Sequence, residues 1–284
     1  MNSKIEAQFA FVGNQIVKVS DASVHISDLA VQRGYGIFDF FKIKGDHPYF
    51  LEYHLDRFYD SASIMKLKAA QSRADLTGII SELITRNAID ESGIKVILTG
   101  GYSPDGYQIA APNLILTQHP LTLPSSDQIE NGISVITHSY NKEFPEAKTI
   151  NYTMGIWLVD RIKAEGASDV LYHHNNILSE FPRCNLFIVD ENGVVKTPAK
   201  NILKGVTRKN ILKLSSTKYT TQETDISIDE LFAAREVFLT STTKRVLPIV
   251  SVDHKPIGDG KPGPVSMILL RELLELEKKN AQGQ

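Results

Sequence analysis

Apolar side chains recur along this chain at two different spacings, and each spacing predicts a different kind of element. Leu76, Ile79, Ile80, Leu83 and Ile84 follow one another at three- and four-residue steps, as on the buried face of a helix. The same kind of spacing predicts further helices over residues 55–65, 154–164, 202–214 and 265–279.

Short apolar runs bounded by turn residues predict strands among these helices. Gly13-Asn14 and Asn175-Asn176 each separate two such runs, and both pairs tolerate the positive φ angles of a tight hairpin turn. Glu191-Asn192-Gly193 predicts a third hairpin. The predicted strands cover residues 9–12, 16–19, 37–43, 94–99, 113–117, 133–138, 170–174, 177–180, 185–189, 194–197 and 237–240.

The pattern breaks between residues 119 and 131, where Pro120, Pro124, Ser125 and Ser126 interrupt every period. We interpret this stretch as a linker between a small N-terminal domain, residues 1–118, and a larger C-terminal domain, residues 132–284. Because strands and helices mix in both parts, the fold class predicted is α+β, with two mixed domains.

Composition narrows the classes of function without choosing one. The chain has 284 residues, of which 42% are hydrophobic and 23% are charged, which excludes a disordered protein. With 31 Lys and Arg against 33 Asp and Glu, neither nucleic acid nor an anionic membrane is expected as the main partner. The first ten residues lack the apolar run of a signal peptide, and no stretch approaches the length of a membrane span. We therefore expect a soluble, cytoplasmic protein.

Several kinds of site are disfavoured by spacing. The eight histidines form no ligand pair of the His-x-x-x-His type, so no metal site is expected. Gly34 and Gly36 lead into a strand rather than a helix, so they are no dinucleotide fingerprint. Cys184, the one cysteine, excludes an internal disulfide and has no evident histidine partner.

Five groups of polar residues are candidates for chemistry, and each of them alone also suits a structural role. They are His54 with Arg57 on one predicted helix, Lys148 ahead of a helix, Glu180 at the end of an apolar strand, Gly205-Val206-Thr207 opening a helix, and Ser241-Thr242-Thr243 after a buried strand. Free N–H groups at a helix start can bind phosphate, although the same residues often serve only as a cap. A buried carboxylate such as Glu180 needs a partner.

Taken in order, these groups resemble the class IV aminotransferases, the fold-type IV enzymes that use pyridoxal 5′-phosphate. That family includes D-amino acid aminotransferases, branched-chain aminotransferases and aminodeoxychorismate lyases. The resemblance covers nearly the whole chain. It rests on His54-Leu-Asp-Arg57, Lys148-x-x-Asn151-Tyr152, Glu180 with Asn185-Leu-Phe187, Leu203-Lys-Gly205-Val-Thr207-Arg208, Ser241-Thr242-Thr243, and on Asp28, Arg33-Gly34 and Asp259-Gly260 near the two ends.

The resemblance implies a role for each group. Lys148 matches the family's lysine, the amine that bonds to the cofactor aldehyde and then moves the substrate's proton as general acid and base. Glu180 matches the carboxylate that keeps the pyridine nitrogen protonated. Tyr152 is expected near the phenolic oxygen of the cofactor. The expected phosphate ligands are Arg57, Val206, Thr207 and Thr242.

The chain departs from the family where substrate is bound. Gly100 stands where D-amino acid aminotransferases carry the arginine that binds the substrate carboxylate, and Arg245 replaces a common glutamate. Arg183, in an unusual Phe-Pro-Arg-Cys run, and Arg33 are the substitute carboxylate ligands that we predict, with a surface or interface ion pair as the alternative for each. Phe38 and Thr243 are also expected to contact substrate, and no substrate-binding residue is predicted beyond these four.

We predict a homodimeric transaminase, with sites at the subunit interface, that acts on D-amino acids such as D-glutamate and D-alanine with 2-oxoglutarate as acceptor. The Lys-x-x-Asn spacing favours this branch, because branched-chain enzymes carry one more residue there. A branched-chain L-amino acid transaminase is the second interpretation. An aminodeoxychorismate lyase, which shares the lysine spacing, is the third. A non-catalytic cofactor-binding protein would require the loss of Lys148 or Glu180.

Overall fold

The computed structural model describes residues 6–282, and the α+β class predicted from the sequence is confirmed. Contacts within the chain divide it into two compact units. The first comprises Met1–Thr122, Ala147–Asn151 and Asn280–Gln284, and the second comprises Leu123–Glu146 and Tyr152–Lys279. Segment 147–151 therefore lies with the first unit, whereas the sequence assigned it to the C-terminal domain.

The first unit is built on a six-stranded antiparallel sheet in the order β2-β1-β6-β5-β3-β4. Apolar residues of two long helices and of β3 and β5 form its core. The strands are β1 Phe9–Val12, β2 Gln15–Lys18, β3 Gly36–Lys44, β4 His47–Pro48, β5 Glu91–Thr99 and β6 Leu114–Pro120. The helices are α1 Leu29–Arg33, α2 Leu51–Ile64 and α3 Arg73–Asn87, with a 3₁₀ turn at Val19–Asp21.

The second unit is built on a nine-stranded sheet in the order β12-β11-β10-β13-β14-β7-β8-β9, with β15 paired to β14. Its strands are β7 Ile133–Ser139, β8 Asp169–His174, β9 Ile177–Leu178, β10 Asn185–Val189, β11 Val195–Pro198, β12 Thr221–Thr224, β13 Glu236–Ser241, β14 Arg245–Val252 and β15 Lys255–Pro256. Its helices are α4 Ser126–Asn131, α5 Thr153–Trp157, α6 Val159–Ala164, α7 Val206–Ser215, α8 Ile228–Ala233 and α9 Pro264–Ala281.

The elements with the strongest sequence signals agree with the prediction. The five apolar residues at helical spacing lie on α3, and both turn pairs have positive φ at each residue, as a two-residue hairpin requires. β1 pairs with β2 across Gly13-Asn14, and β8 pairs with β9 across Asn175-Asn176.

Other elements differ from the prediction for local reasons. The segment interpreted as a linker contains the end of β6 and the helix α4, which begins at a capping box formed by Ser125 and Gln128. The helix predicted over residues 154–164 is divided at Leu158 into α5 and α6. By contrast, the stretch 202–214 was predicted to begin irregularly and to open its helix at Gly205-Val206-Thr207, and α7 begins at Val206 after the cap residue Gly205.

Several elements were missed, among them β4, α8 and β15. The short helix α1 begins at the Asp28 cap and ends at Gly34, whose φ of +63° suits glycine. The strands β12 and β14 were not predicted. Within residues 6–282, no helix is both long enough and apolar enough to cross a lipid bilayer.

Candidate functional site

Lys148 lies in an extended segment that pairs with the start of β3 in the first unit. Thr149 and Ile37 form an isolated antiparallel bridge there. The N–H of Phe38 donates to the Lys148 carbonyl at 2.8 Å, and the N–H of Ile150 donates to the Gly36 carbonyl at 3.0 Å. β4 pairs only with the last two residues of β3, so this part of the edge is open to the segment. The sheet thereby determines where the lysine main chain lies.

The side chains of two lysines approach the same aromatic ring. Lys148 Nζ lies 4.6 Å from the centre of the Phe38 ring, and Lys95 Nζ lies 5.8 Å from it. Lys95 is in β5, paired with Phe40, and therefore shares a sheet face with Phe38. It is half-buried and makes no ion pair or side-chain hydrogen bond with any residue that the structure describes. Sequence reasoning missed Lys95, whose place beside Phe38 depends on the register of two strands far apart in the chain.

Arg57 belongs to a buried charged cluster with Asp39 and His54. Its Nε and Nη2 donate to the two carboxylate oxygens of Asp39, each at 2.8 Å, and His54 Nδ1 lies 2.7 Å from Asp39 Oδ1. Asp39 is 1% exposed and His54 is 2% exposed. Two nitrogens of the Arg57 guanidinium, Nε and Nη2, therefore donate to the Asp39 carboxylate. The third guanidinium nitrogen, Nη1, does not take part in this pair.

The pKa values in this cluster follow from burial and from its partners. Burial favours the neutral form of Asp39, but the charges of Arg57 and His54 and their hydrogen bonds hold its pKa well below the usual range. Burial lowers the pKa of His54 in spite of the attraction of Asp39, with smaller contributions from Arg57 and Lys148. The ionised form of Asp39 is thus stabilised within the cluster, whereas burial disfavours the charged form of His54. Asp39 was not identified from the sequence, although a carboxylate within an apolar run was a visible signal.

Glu180 is buried in the second unit, with a hydrogen-bond donor at each carboxylate oxygen. Oε1 accepts from Lys142 Nζ at 2.7 Å, and Oε2 accepts from Asn185 Nδ2 at 3.1 Å and from the Leu203 N–H at 3.0 Å. The expectation that a buried Glu180 needs partners is met by these groups. Donors to the ionised form favour the carboxylate. Lys142 was missed because nothing in its local sequence distinguishes it from a solvated lysine.

The start of α7 has the features of an anion-binding turn. Gly205 occupies the cap position, and no side chain there accepts a hydrogen bond from the first-turn N–H groups, which include those of Val206 and Thr207. A Cβ atom at Gly205 would lie 2.2 Å from Asn185 Oδ1, so any other residue would displace the Asn185 amide from its hydrogen bonds to Glu180 and to the Leu203 carbonyl.

The strand β13 ends beside this turn with polar groups. Thr240 pairs with Asn185 between β13 and β10 and is 1% exposed. Its hydroxyl has no partner among the described residues, although buried hydroxyls are nearly always hydrogen-bonded. Thr242 and Thr243 follow in the turn between β13 and β14. An unpaired hydroxyl and uncapped N–H groups in one unit are groups to which a ligand with several oxygens can bind.

Arg33, Arg183, Tyr152 and Gly100 complete the set of positions singled out from the sequence. Arg33 ends α1, is exposed and donates to the Gln32 carbonyl, and Arg183 is exposed in the second unit. Tyr152 is the cap residue of α5. At Gly100 a Cβ atom would lie 2.8 Å from Leu29 Cδ1, so this backbone has no room for the family's arginine.

Within each unit, part of the predicted set is assembled. The first unit brings Phe38 close to Lys148 and carries Arg57 on α2. The second unit groups Glu180 with the start of α7 through Asn185, which contacts both.

Comparisons with known proteins point to one family of enzymes. A family model described as amino-transferase class IV matches residues 36–252. The chain is 28% identical over 258 residues to a D-alanine aminotransferase from Bacillus licheniformis, covering 89% of this chain and 91% of that protein. It is 25% identical over 276 residues to a D-alanine aminotransferase from Listeria monocytogenes, with 93% and 94% covered. A branched-chain amino acid aminotransferase structure from Escherichia coli has a TM-score of 0.89 and 25% identity, with 96% and 95% covered.

We predict that Asp39→Asn destabilises the protein by about 3–5 kcal/mol, because it leaves a buried guanidinium without its counter-ion. Urea unfolding measures this. The contribution is fully present above the unfolded carboxyl pKa of about 3.9 and is lost as the pH falls toward the depressed folded value, so the difference from the parent should shrink on acidification.

The control for this variant is Asp90→Asn, which removes a carboxylate from an exposed pair with Lys44 and should change stability little. Equal effects of the two substitutions at neutral pH would mean that burial of the Asp39 pair contributes nothing.

Proposed function

Because the chain belongs to the class IV aminotransferases, we propose that it transfers amino groups between D-amino acids and 2-oxo acids. The enzymes of this family use pyridoxal 5′-phosphate, which is therefore its cofactor. D-alanine aminotransferases among its similar relatives support the D-amino acid branch, and so does the Lys148-x-x-Asn151 spacing. D-glutamate and D-alanine are the proposed donors, and 2-oxoglutarate is the proposed acceptor.

The groups described in the two units suit this cofactor. Bound pyridoxal phosphate supplies an aldehyde that bonds to amines and a ring that accepts electrons from the substrate's Cα–H bond. We assign phosphate binding to Arg57, the N–H groups of Val206 and Thr207, and Thr242. Two observations favour a bound polar group beside α7. They are the turn at Gly205, where a Cβ atom would strike Asn185, and the unpaired hydroxyl of Thr240.

Lys148 is the proposed catalytic residue. Its amine would hold the cofactor, and as a free base it would take the proton from the substrate Cα and then pass that proton on as general acid. A single amine performs both transfers, which suits a ping-pong reaction. The observation that carries this assignment is the main-chain pairing with β3, which holds Lys148 beside Phe38.

Glu180 is the proposed partner of the pyridine nitrogen. Its three donors keep the carboxylate in place and favour its ionised form, which in turn would favour a proton on the ring nitrogen. Tyr152 is assigned to the phenolic oxygen of the cofactor.

The substrate class rests on cationic side chains. Lys95 is half-buried beside Phe38 and has no anionic partner among the described residues, so a carboxylate of the substrate is its proposed partner. Arg33 and Arg183 also remain proposed carboxylate ligands, since a guanidinium binds a carboxylate through two hydrogen bonds. Thr243 is also assigned to substrate. Dicarboxylates such as D-glutamate and 2-oxoglutarate fit this charge pattern best.

We also propose that the active form is a homodimer. In the first unit Ile26 and Val31 are 75% and 61% exposed, and in the second unit Ile156 and Trp157 are 71% and 72% exposed. A second copy of the chain would remove such large apolar side chains from water. Arg33 lies two residues from Val31 in the chain, so a dimer contact there would include it.

The second candidate is a branched-chain L-amino acid transaminase, supported by the TM-score of 0.89 to the enzyme from Escherichia coli. An aminodeoxychorismate lyase is the third candidate, and only the spacing around Lys148 supports it.

We predict that D-glutamate, but not L-leucine, converts the bound cofactor to its amine form in a single half-reaction. The measurement is the loss of visible cofactor absorbance on adding each amino acid separately. Lys148→Ala is the control, since it should lose covalent attachment and nearly all turnover. Conversion by L-leucine alone would assign the chain to the branched-chain group.

We predict that Glu180→Gln retains the cofactor but slows this half-reaction by about 100-fold, by analogy with removal of one preorganised electrostatic group. A neutral ring is a weaker electron acceptor. Glu165→Gln, an exposed carboxylate beside His254 in the same unit, is the matched control. An unchanged rate in Glu180→Gln would remove Glu180 from its assigned role.

We predict that Lys95→Met weakens the binding of D-glutamate about 30-fold or more, as expected when one partner of a desolvated ion pair is removed. The binding of D-alanine should be weakened less. Saturation constants of the half-reaction measure this, with the exposed Lys68→Met as control. Arg33→Ala and Arg183→Ala are compared in the same assay. Equal losses for both amino acids in Lys95→Met would show that Lys95 does not select the second carboxylate.

A further inference from the structure

Ser61 is a polar residue in a position where the helix pattern calls for an apolar one. It lies in α2 with 0% of its surface exposed, on the face that also carries Phe58 and Ala62. Those two neighbours pack in the apolar core of the first unit. A hydroxyl buried among such residues loses its hydration, so it needs a hydrogen-bond partner.

The partner of this hydroxyl is the main chain of Lys148, 87 residues away. The Lys148 N–H donates to Ser61 Oγ at 3.0 Å. The main-chain pairing with β3 includes the Lys148 carbonyl, which accepts from Phe38, but the N–H of the same residue donates to the serine instead of to the strand. Both polar groups of the Lys148 main chain are therefore held, one by the sheet and one by α2.

We propose that Ser61 is a positioning residue that acts through the Lys148 main chain, and this inference rests on the proposed function. Fixing both the N–H and the carbonyl of Lys148 restricts the direction of its Cα–Cβ bond. The Lys148 amine can then reach only a restricted volume around a fixed Cα–Cβ bond. Ser61 touches neither cofactor nor substrate in this account.

The same helix also carries the proposed phosphate ligand. Arg57 precedes Ser61 by four residues, which places the two side chains on one face, about one turn apart. Arg57 is itself held by Asp39 of β3. One helix thus carries the proposed phosphate ligand and, through Ser61, also supports the main chain of Lys148.

The test compares two ligands that differ only at the reacting carbon. Pyridoxal 5′-phosphate bonds to Lys148, whereas 4′-deoxypyridoxine 5′-phosphate has a methyl group in place of the aldehyde and relies on the phosphate and ring contacts alone. Equilibrium dissociation constants for both are measured by fluorescence or absorbance with the parent protein and with Ser61→Ala. Alanine is the best helix former, so α2 is retained.

We expect Ser61→Ala to weaken the binding of pyridoxal phosphate roughly 10-fold, which is the usual scale for leaving a buried donor unpaired. The dissociation constant of the deoxy analogue should not change. Ser61→Thr keeps a hydroxyl and should restore most of the loss. Ser63→Ala, at an exposed position on the same helix, is the matched control and should bind both ligands as the parent does.

The two ligands separate the possible outcomes. If Ser61→Ala weakens both ligands equally, Ser61 supports only the helix and the inference is wrong. If it weakens neither, the hydrogen bond to Lys148 has no consequence and the inference is wrong as well. If the parent protein itself shows no covalent attachment at Lys148, it is the proposed function that fails.

Discussion

The hydrogen bonds between segment 147–151 and β3 are the constraint on which the candidate site depends. They place Lys148 against Phe38, whose N–H holds the lysine carbonyl and whose ring lies beneath the lysine amine. Ser61 completes the arrangement from α2. A reactive amine on a long, flexible side chain gains precision only if its main chain is fixed, since otherwise much of the binding energy is lost to ordering. Here strand pairing and one buried hydroxyl supply that order.

The buried charges around the site are tolerated because each is paired. Asp39 is surrounded by Arg57 and His54, and Glu180 receives three donors. A buried ion without partners costs several kcal/mol. Each of these groups therefore stays in contact with its partners, because moving away would leave an unpaired charge in the protein interior. The ionisable groups that the proposed chemistry requires are thus also constraints on the fold. Lys95 differs, because its ammonium is half-buried without an anion among the described residues, and this makes it the most informative residue for substrate class.

Much of the fold follows from local rules, and the site follows only in part. The spacing of apolar residues predicted α3, and the turn pairs Gly13-Asn14 and Asn175-Asn176 predicted their hairpins, because these signals lie within a few residues. α1 was missed because five residues are too few to establish a period. The capping box at Ser125 was hidden among prolines and serines. The pairing of Lys148 with β3, like the contact with Ser61, joins residues about a hundred positions apart, and no local pattern reports such a contact. Arg57, Lys148 and Glu180 were predicted by resemblance, whereas Asp39, Ser61, Lys95 and Lys142 emerge only from the folded structure.

The location of the covalently attached cofactor tests the assignment of Lys148 most directly. The purified protein is incubated with pyridoxal 5′-phosphate, reduced with borohydride and digested, and the modified peptide is sequenced by mass spectrometry. The account predicts one stoichiometric modification, on Lys148, with Lys95 and Lys142 unmodified. Attachment at another lysine, or scattered labelling without a preferred site, would contradict the assignment of Lys148 and the account of how the first unit positions it.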